Sequence, residues 1–175
     1  QLVNKSNGSF TLEDASWVEA FGGFAASLLA RANLLAQIKR QYLGTIASLA
    51  EAVDAKDPYT HGHSLRVSAY SVALGEAIGL DQETLFDLRV SSVLHDIGKI
   101  AIPDVILLKK GRLTEEEYTI IKSHTREGVR ILKPVGFRPR IYEGILYHHE
   151  KWNGTGYPEN LQGHQIPLFG RIIAF

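Results

Sequence analysis

Seven histidines in this sequence all follow residue 60, and several stand where metal ligands could be placed. His95 and Asp96 are adjacent at the end of an apolar stretch, and His148 and His149 form a second adjacent pair after another one. Ionisable groups beside an apolar core are unfavourable unless a partner compensates them, and a metal ion is such a partner. Neutral imidazole and carboxylate are typical ligands of iron, manganese and zinc hydrolytic sites.

Two further histidines, His63 and His124, each open a predicted helix and would complete the ligand set. The carboxylate of Asp96 has two oxygens and can bridge two ions. Two ions about 3.5–4 Å apart would stabilise both the attacking and the leaving oxygen of a phosphoryl displacement. Lys99 could hold a phosphate oxygen, or it could be a solvated lysine near a helix end. The remaining histidines are interpreted as loop residues rather than ligands: His61 and His164.

The composition limits the class of protein. The 175 residues suffice for one ordinary domain with a sizeable core. Because 19 Lys and Arg balance 19 Asp and Glu, broad electrostatic binding of nucleic acid or an anionic membrane is not indicated. The absence of cysteine excludes thiolate metal sites and fits a cytoplasmic location. No apolar run reaches the roughly 18–20 residues that cross a bilayer, so we expect no membrane segment.

The elements that must position these residues are predicted to be mainly helices. A strand and turn are predicted at residues 1–10, followed by a capping pair, Thr11 and Asp14, and a long helix to about Ala55. Shorter helices are predicted at residues 64–78, 82–98, 114–122, 125–133 and 138–150, where the capping box of Thr114 and Glu117 opens the third. Glycines and prolines between residues 151 and 170 predict a loop.

Apolar residues recur at seven-residue intervals in the long predicted helix: Phe21, Leu28, Leu35, Tyr42 and Leu49. Phe24 and Ile38 occupy two intervening seam positions, whereas Arg31 and Thr45 weaken two others. The helix could pack on its own domain, or it could pair with its copy in a dimer. We favour the dimer, because little neighbouring core exists to cover so long a helix.

Residues 50–175 carry an ordered series of motifs. Its segments are DPYTHGHSLRV (57–67), LHDIGKI (94–100), IPD (102–104), GRLT (111–114), His124, HHEKWNGTGYP (148–158), IPL (166–168) and RI (171–172). This series resembles the HD-GYP domain, the cyclic di-GMP phosphodiesterase branch of the HD superfamily. The resemblance implies a mainly α fold with an HD-type helical core. It also implies hydrolysis of cyclic di-GMP to linear pGpG and, in some members, on to GMP.

The resemblance also implies individual roles. The metal ligands would be His63, His95, Asp96, His124, His148 and His149. Lys99 and Arg171 would contact the substrate phosphates, and Asp96 and Lys99 would be the catalytic residues. The loop that shapes the substrate site would consist of Gly156, Tyr157 and Pro158. The cofactors would be two divalent metal ions, iron or manganese.

The sequence departs from the family pattern in two places. Members with three metals carry a Glu four residues before the ligand that matches His63, and this chain has Tyr59 there, so we expect two ions. The family's last Asp ligand would fall two positions beyond Phe175. We therefore expect a domain truncated at its C-terminus, a poorly active fragment, and apolar side chains without partners at Ile172, Ile173 and Phe175.

Residues 1–36 resemble the closing strand and helix of a GAF sensory domain. The resemblance rests on residues 1–5, Gly8, Phe10, residues 13–14 and the Ala-rich helix that follows up to Asn33. It implies a GAF-like remnant at residues 1–36, a connector helix at 37–56 and an HD-GYP domain at 57–175. The implied partners are cyclic di-GMP, a second copy of the chain through the connector helix, and GGDEF-type or other signalling proteins.

Two other functions stay open at this point. The domain could be an inactive cyclic di-GMP sensor that binds partners through the loop at residues 156–158. It could also be another HD phosphohydrolase that acts on nucleotides. The six intact ligand positions favour an enzyme over the sensor, and the segment at residues 148–158 disfavours the second alternative.

Overall fold

The computed structural model describes residues 8–56 and 62–175, and these are mainly helical. The described residues form eight α-helices: α1 (Leu12–Asp54), α2 (His63–Ala77), α3 (Gln82–Leu94), α4 (Asp104–Leu107), α5 (Glu115–Lys122), α6 (His124–Leu132), α7 (Pro139–Tyr147) and α8 (Leu168–Ile173). Short 3₁₀ turns lie at Ile97–Ala101, Lys133–Val135 and Gly163–Gln165. The predicted mainly α fold is confirmed. The strand predicted at residues 1–10 lies largely outside the described residues.

The chain divides into two compact units, residues 1–42 and residues 43–175. In the first unit the predicted capping pair is confirmed: the Thr11 N–H donates to Asp14 Oδ2 (2.7 Å), and the Asp14 N–H donates to Thr11 Oγ1 (3.2 Å). Apolar side chains of α1 such as Phe21 and Leu35 are largely exposed. Among the described residues, no helix combines the length and apolarity that a membrane crossing requires.

In the second unit, α3 lies at the centre and packs against α2, α7 and α8. Leu88 of α3 is fully buried in a cluster with Phe169, Ile172 and Ile173 of α8. The expectation that these side chains lack partners is therefore wrong for Ile172 and Ile173, whereas Phe175 is 99% exposed. Helix α8 falls in a region where only an Ile-Pro-Leu motif and a Gly-rich loop were visible in the sequence, and its apolar face packs on residues more than 70 positions earlier.

Two predicted helices end earlier than the apolar pattern indicated. Helix α3 ends at Leu94, and α7 ends at Tyr147. After α3 the chain tightens into the 3₁₀ turn at Ile97–Ala101, where Gly98 packs directly on α6. A Cβ at Gly98 would overlap the carbonyl oxygen of His124, so only glycine permits this approach. The short helices α4 and α8 were not predicted, because four and six residues are too few for a periodic signal.

A buried carboxylate joins α3 to the start of α7. Asp87 is 2% exposed, and Arg138 Nη1 donates to both of its oxygens at 2.7 and 2.8 Å. Arg140 Nε donates to Asp87 Oδ2 at 2.5 Å, and its Nη2 also contacts the exposed Glu83. Since the two arginines compensate the buried charge, this cluster fixes α7, the helix that ends directly before His148.

We predict that Asp87→Asn lowers the free energy of unfolding by about 3 kcal/mol, because it leaves two arginines beside a buried neutral amide. Urea denaturation monitored by circular dichroism measures the change. Glu83→Gln is the matched control: it removes a carboxylate from the same arginines at an exposed position, and should cost less than about 1 kcal/mol. Equal effects of the two substitutions would contradict the central role of Asp87.

Candidate metal centre

The structure brings the six predicted ligands together at the ends of four helices. His63 is the first residue of α2, and His124 is the first residue of α6. The adjacent pairs at 95–96 and 148–149 directly follow the last residues of α3 and α7. Helix ends place these side chains where the backbone turns, so that neighbouring residues can reach one centre. We call these six residues the histidine–aspartate cluster.

The cluster consists of two groups that share Asp96. One group contains His63, His95 and Asp96, and the other contains Asp96 with His124, His148 and His149. The Asp96 Oδ2 atom lies 3.3 Å from His95 Nε2 and 4.0 Å from His63 Nε2. The Oδ1 atom lies 3.3 Å from His124 Nε2 and 3.8 Å from His148 Nε2. Each carboxylate oxygen therefore faces one group.

Backbone carbonyls orient three of the rings. The Nδ1–H groups of His95, His124 and His148 donate to carbonyl oxygens three residues earlier, at 2.7, 2.7 and 2.8 Å respectively. A carbonyl oxygen can only accept, so the proton of each neutral ring is on Nδ1. The Nε2 atoms then carry free lone pairs that point into the cluster. This is the arrangement by which proteins fix a histidine that binds a metal.

Asp96 is buried, and its ionisation depends on the surrounding groups. Burial alone would raise the pKa of its carboxyl, but the charge on His95 and the nearby His124 imidazole hold that pKa well below 3.8. Lys99 Nζ lies 2.8 Å from Asp96 Oδ2. In turn, although burial opposes a charge on His95, the Asp96 carboxylate raises the pKa of that imidazole.

The second group is held in its neutral form. Burial lowers the pKa of His148 well below its usual 6.5, and the neighbouring His95 and His149 add to this effect. Burial and the neighbouring His124 lower the pKa of His149 to about 4. Both rings are therefore neutral near pH 7, which is the form that binds a metal ion.

The cluster has the donor atoms that bind a divalent metal ion. Asp96 Oδ1 is buried and accepts no hydrogen bond from any residue in the ranges 8–56 and 62–175. A buried carboxylate oxygen without a partner is unfavourable, and a cation between it and the surrounding Nε2 atoms would satisfy it. The described residues of the cluster supply five imidazoles and one carboxylate, which fits iron, manganese or zinc.

A buried carboxylate that the sequence did not reveal organises the loop after the cluster. Glu150 is 3% exposed and accepts the N–H groups of Glu159 (2.7 Å) and Leu161 (3.0 Å). The Asn160 side chain donates to the Gly156 carbonyl. A Cβ at Gly156 would overlap the backbone at His149–Lys151, so the loop can lie against the segment after α7 only with glycine here. A Glu directly after two ligands and before a Gly-rich segment was the available signal.

The loop presents Tyr157 to the cluster. Its ring stacks on His149, with 4.6 Å between centroids and 22° between planes. Its edge-to-face contact with His124 has a centroid distance of 6.4 Å. Burial raises the pKa of the Tyr157 phenol well above its usual range, so the phenol stays protonated. The Tyr157–Pro158 peptide bond is cis. The predicted substrate loop thus lies directly beside two of the predicted ligands.

The two predicted phosphate contacts occupy different positions. Lys99 is partly buried and contacts Asp96 directly, as described above. Arg171 of α8 has a buried Nε atom without a hydrogen-bond partner in the described parts of the chain. Its Nη1 atom lies 3.4 Å from His164 Nδ1. His164 also contacts the Trp152 ring edge to face.

The end of α1 supports the cluster from two sides, which the sequence did not reveal. Asp54 is buried and accepts the Ser64 hydroxyl (2.9 Å) and the Ser64 N–H (3.3 Å), directly after His63. Lys56 Nζ donates to the carbonyls of Ile102 (2.6 Å) and Ile100 (3.1 Å), at the end of the turn that carries Lys99. These contacts fix both segments relative to the last residues of α1.

Comparison with known proteins identifies the family. The family model of the HD domain matches residues 47–175. The chain belongs to the HD domain family. Its histidine–aspartate cluster and helical core lie within the matched region, and the assignment made from the sequence motifs is confirmed at this level.

Several relatives in this family are named cyclic dinucleotide phosphodiesterases. The chain is 42% identical over 144 residues to a cyclic di-GMP phosphodiesterase of Vibrio cholerae, covering 74% of this chain and 29% of the relative. It is 43% identical to a cyclic di-GMP phosphodiesterase of Thermotoga maritima, covering 68% and 33%. It is also 40% identical to the 3'3'-cGAMP-specific phosphodiesterase 2 of Vibrio cholerae, covering 81% and 28%. The chain spans about a third of the length of these relatives.

A solved structure has the same fold. The crystal structure of a cyclic GMP-AMP-specific phosphodiesterase of V. cholerae superposes with a TM-score of 0.57 at 22% identity. The match covers 74% of this chain and 37% of that chain. At this identity the likeness supports the helical HD fold of the chain alone.

We predict that Glu150→Gln loosens the loop at residues 153–161. The glutamine keeps one acceptor but sets an NH₂ group against a backbone N–H, so one of two hydrogen bonds is lost. Amide hydrogen exchange at Glu159 and Leu161 should accelerate by roughly tenfold or more. Glu143→Gln, an exposed change on α7, is the control and should leave both amides unchanged. Unaltered exchange in Glu150→Gln would contradict the organising role of Glu150.

Proposed function

We propose that the chain provides the catalytic domain of a metal-dependent phosphodiesterase that hydrolyses cyclic di-GMP. The observation that carries this proposal is the shared carboxylate of Asp96, with one oxygen facing each of two imidazole groups. Two-metal sites of this kind suit the hydrolysis of phosphodiesters. The names of several relatives in the HD domain family favour a cyclic dinucleotide as the substrate.

In this proposal two divalent ions, iron or manganese, occupy the cluster. His63, His95 and Asp96 would hold one ion, and Asp96 with the second histidine group would hold the other. The ions would supply Lewis-acid activation of water and of the phosphodiester. The position that decides against a third ion, Tyr59, lies outside the described residues.

The residues around the cluster would position the substrate and neutralise the charge of its phosphates. Lys99 Nζ, now 2.8 Å from Asp96, would donate to a non-bridging phosphate oxygen, and Arg171 would contact the phosphates. Gly156, Tyr157 and Pro158 would form one wall of the substrate site. Water would form a new bond to phosphorus, the bond from phosphorus to the 3′ oxygen would break, and the leaving oxygen would take up a proton. The product is linear pGpG.

The remaining alternatives are a cyclic di-GMP sensor without turnover and a phosphodiesterase of another cyclic dinucleotide. A sensor requires no preserved metal ligands, whereas the six predicted ligands of this chain form two groups that could each hold an ion, which supports an enzyme. A 3'3'-cGAMP substrate is favoured by the names of some relatives, so both dinucleotides belong in the assay.

We further propose that residues 1–36 are part of a GAF-like sensory domain and that residues 37–56 connect it to the HD domain. Their arrangement along one helix supports a regulatory role, because α1 runs without interruption from Leu12 to Asp54. Signalling proteins such as GGDEF-type enzymes are candidate partners. The contacts of Asp54 and Lys56 give α1 a physical connection to the cluster segments.

The function is tested on the full-length protein loaded with manganese or ferrous iron. We expect elemental analysis to approach two ions per chain, and cyclic di-GMP to be converted to pGpG. Asp96→Asn should lower kcat by more than about a hundredfold, because a neutral amide is a weaker metal ligand than a carboxylate and Asp96 is shared by both groups. Circular dichroism should stay unchanged.

Glu76→Gln makes the same carboxylate-to-amide change at an exposed position on α2 and should keep parental turnover and metal content. Turnover of Asp96→Asn near that of the control would remove Asp96 from the mechanism. Three bound ions would contradict the two-metal assignment. Binding of cyclic di-GMP without any turnover by the metal-loaded protein would support the sensor instead.

We also propose a parallel dimer through α1. The heptad residues Phe21, Leu28 and Leu35 are 74%, 49% and 67% exposed, so this stripe has no cover within the described residues. Parallel pairing would bury the stripe against its copy and would place two regulatory units side by side.

The double substitution Leu28→Lys with Leu35→Lys should convert the protein to monomers, because it sets charges opposite each other in the seam. Multi-angle light scattering measures the mass. Leu29→Lys with Ala36→Lys adds the same charges one position outside the seam and should leave a dimer. A dimeric mass in the seam variant would refute this interface.

A further inference from the structure

A cavity lies beside Tyr157, the residue whose ring stacks on His149 of the cluster. It has a volume of about 500 Å³ and opens between α5, the start of α6 and the loop at residues 155–160. Its principal lining residues are Tyr118, Lys122, Ser123, Arg126, Tyr157 and Asn160. This volume lies within the range of pockets that bind small organic ligands.

Tyr157 contacts the cluster and also lines this cavity. Its ring stacks on His149 and meets His124, and the same residue lines the cavity. The cavity and the cluster are therefore neighbours that share this residue.

The lining combines the two chemistries that a nucleotide needs. Tyr118 and Tyr157 meet edge to face, with a centroid distance of 6.5 Å, and form an aromatic corner against which a base can stack. Lys122 and Arg126 bring two cations to one side, one turn apart along the chain. Cations of this kind bind phosphate oxygens through charge-assisted hydrogen bonds.

The existing contacts of the two cations leave them able to bind a ligand. Lys122 Nζ lies over the Tyr118 ring, 5.0 Å from its centroid. Arg126 Nη2 lies 2.7 Å from Glu159 Oε1, in a pair whose side chains are 58% and 45% exposed. Exposed ion pairs of this kind contribute little, so a phosphate can compete with Glu159 for the guanidinium.

A cavity beside His63 also adjoins the cluster, but its chemistry differs. It is smaller, about 260 Å³, and its lining is mostly apolar, with Val67, Leu74 and Ile172 beside the single cation Arg66. The polar cavity behind Tyr157 is thus the better match for a charged, base-containing ligand.

We propose that this cavity binds the second nucleotide of the substrate, the one whose phosphodiester is not at the metals. Its base would stack in the corner of Tyr118 and Tyr157, and its phosphate would lie at Lys122 and Arg126. These residues would then select a dinucleotide over a small phosphodiester. The inference rests on the proposed function, since it assigns the part of the substrate that the cluster does not hold.

The test compares two substrates on the full-length, manganese-loaded protein: cyclic di-GMP, and bis(p-nitrophenyl) phosphate, which presents a phosphodiester without a nucleotide. Lys122→Ala and Arg126→Ala should each raise KM for cyclic di-GMP by about tenfold, because each removes a charge-assisted hydrogen bond. Hydrolysis of bis(p-nitrophenyl) phosphate should stay at the parental rate. Tyr118→Ala should show the same division through lost stacking.

Lys110→Ala removes the same charge from an exposed position outside the cavity and should change neither substrate. Parental KM for cyclic di-GMP in all three cavity variants would overturn the proposal, and so would an equal loss with both substrates, which indicates damage to the metal centre. Failure of the proposed function looks different: the unmodified protein would then hydrolyse neither compound.

Discussion

The buried carboxylate of Asp96 is the constraint on which the arrangement of this domain depends. A carboxylate removed from water is strongly unfavourable unless charges and hydrogen-bond donors surround it. Here the compensation comes from Lys99 and from imidazoles on four helix ends, while one oxygen is left without a donor in the described part of the chain. The group that would complete this site is a cation. The buried Asp96 carboxylate thus lowers the stability of the fold without a metal ion, and the same carboxylate provides the ligand for one.

Helix ends give the cluster its geometry. At a helix end the backbone turns, and carbonyls of the last turn are free to accept hydrogen bonds from side chains. His95 and His148 use such carbonyls to fix their Nδ1 atoms, and their Nε2 atoms therefore point inward. Gly98 allows the turn after Asp96 to lie against α6, and Gly156 allows the loop to lie against the end of α7. The geometry of the metal site therefore depends on these tight backbone contacts.

Two sets of contacts connect this centre to other parts of the second unit. The end of α1 contacts the start of α2 through Asp54 and the turn after Asp96 through Lys56, so a movement of that end would act on both segments. On another side, Glu150 holds the loop that carries Tyr157, and Tyr157 stands between His149 and the polar cavity. The first connection is the basis of the proposed control of the site through α1. The second is the basis of the proposed binding of a second nucleotide.

The sequence by itself determined the helical class, the capping boxes at Thr11 and Thr114, the HD family and the six residues of the cluster. The helical class and the capping boxes depend on interactions within a few positions of the chain, and the family and the cluster residues are recognised by residue type and motif order. Only the tertiary structure decided that Ile172 and Ile173 are buried, that Glu150, Asp54 and Lys56 support the site, and that Lys122 and Tyr118 line a cavity with Tyr157. The physical reason is that these contacts join residues roughly 10 to more than 80 positions apart, where helix packing, and not local periodicity, sets the neighbours.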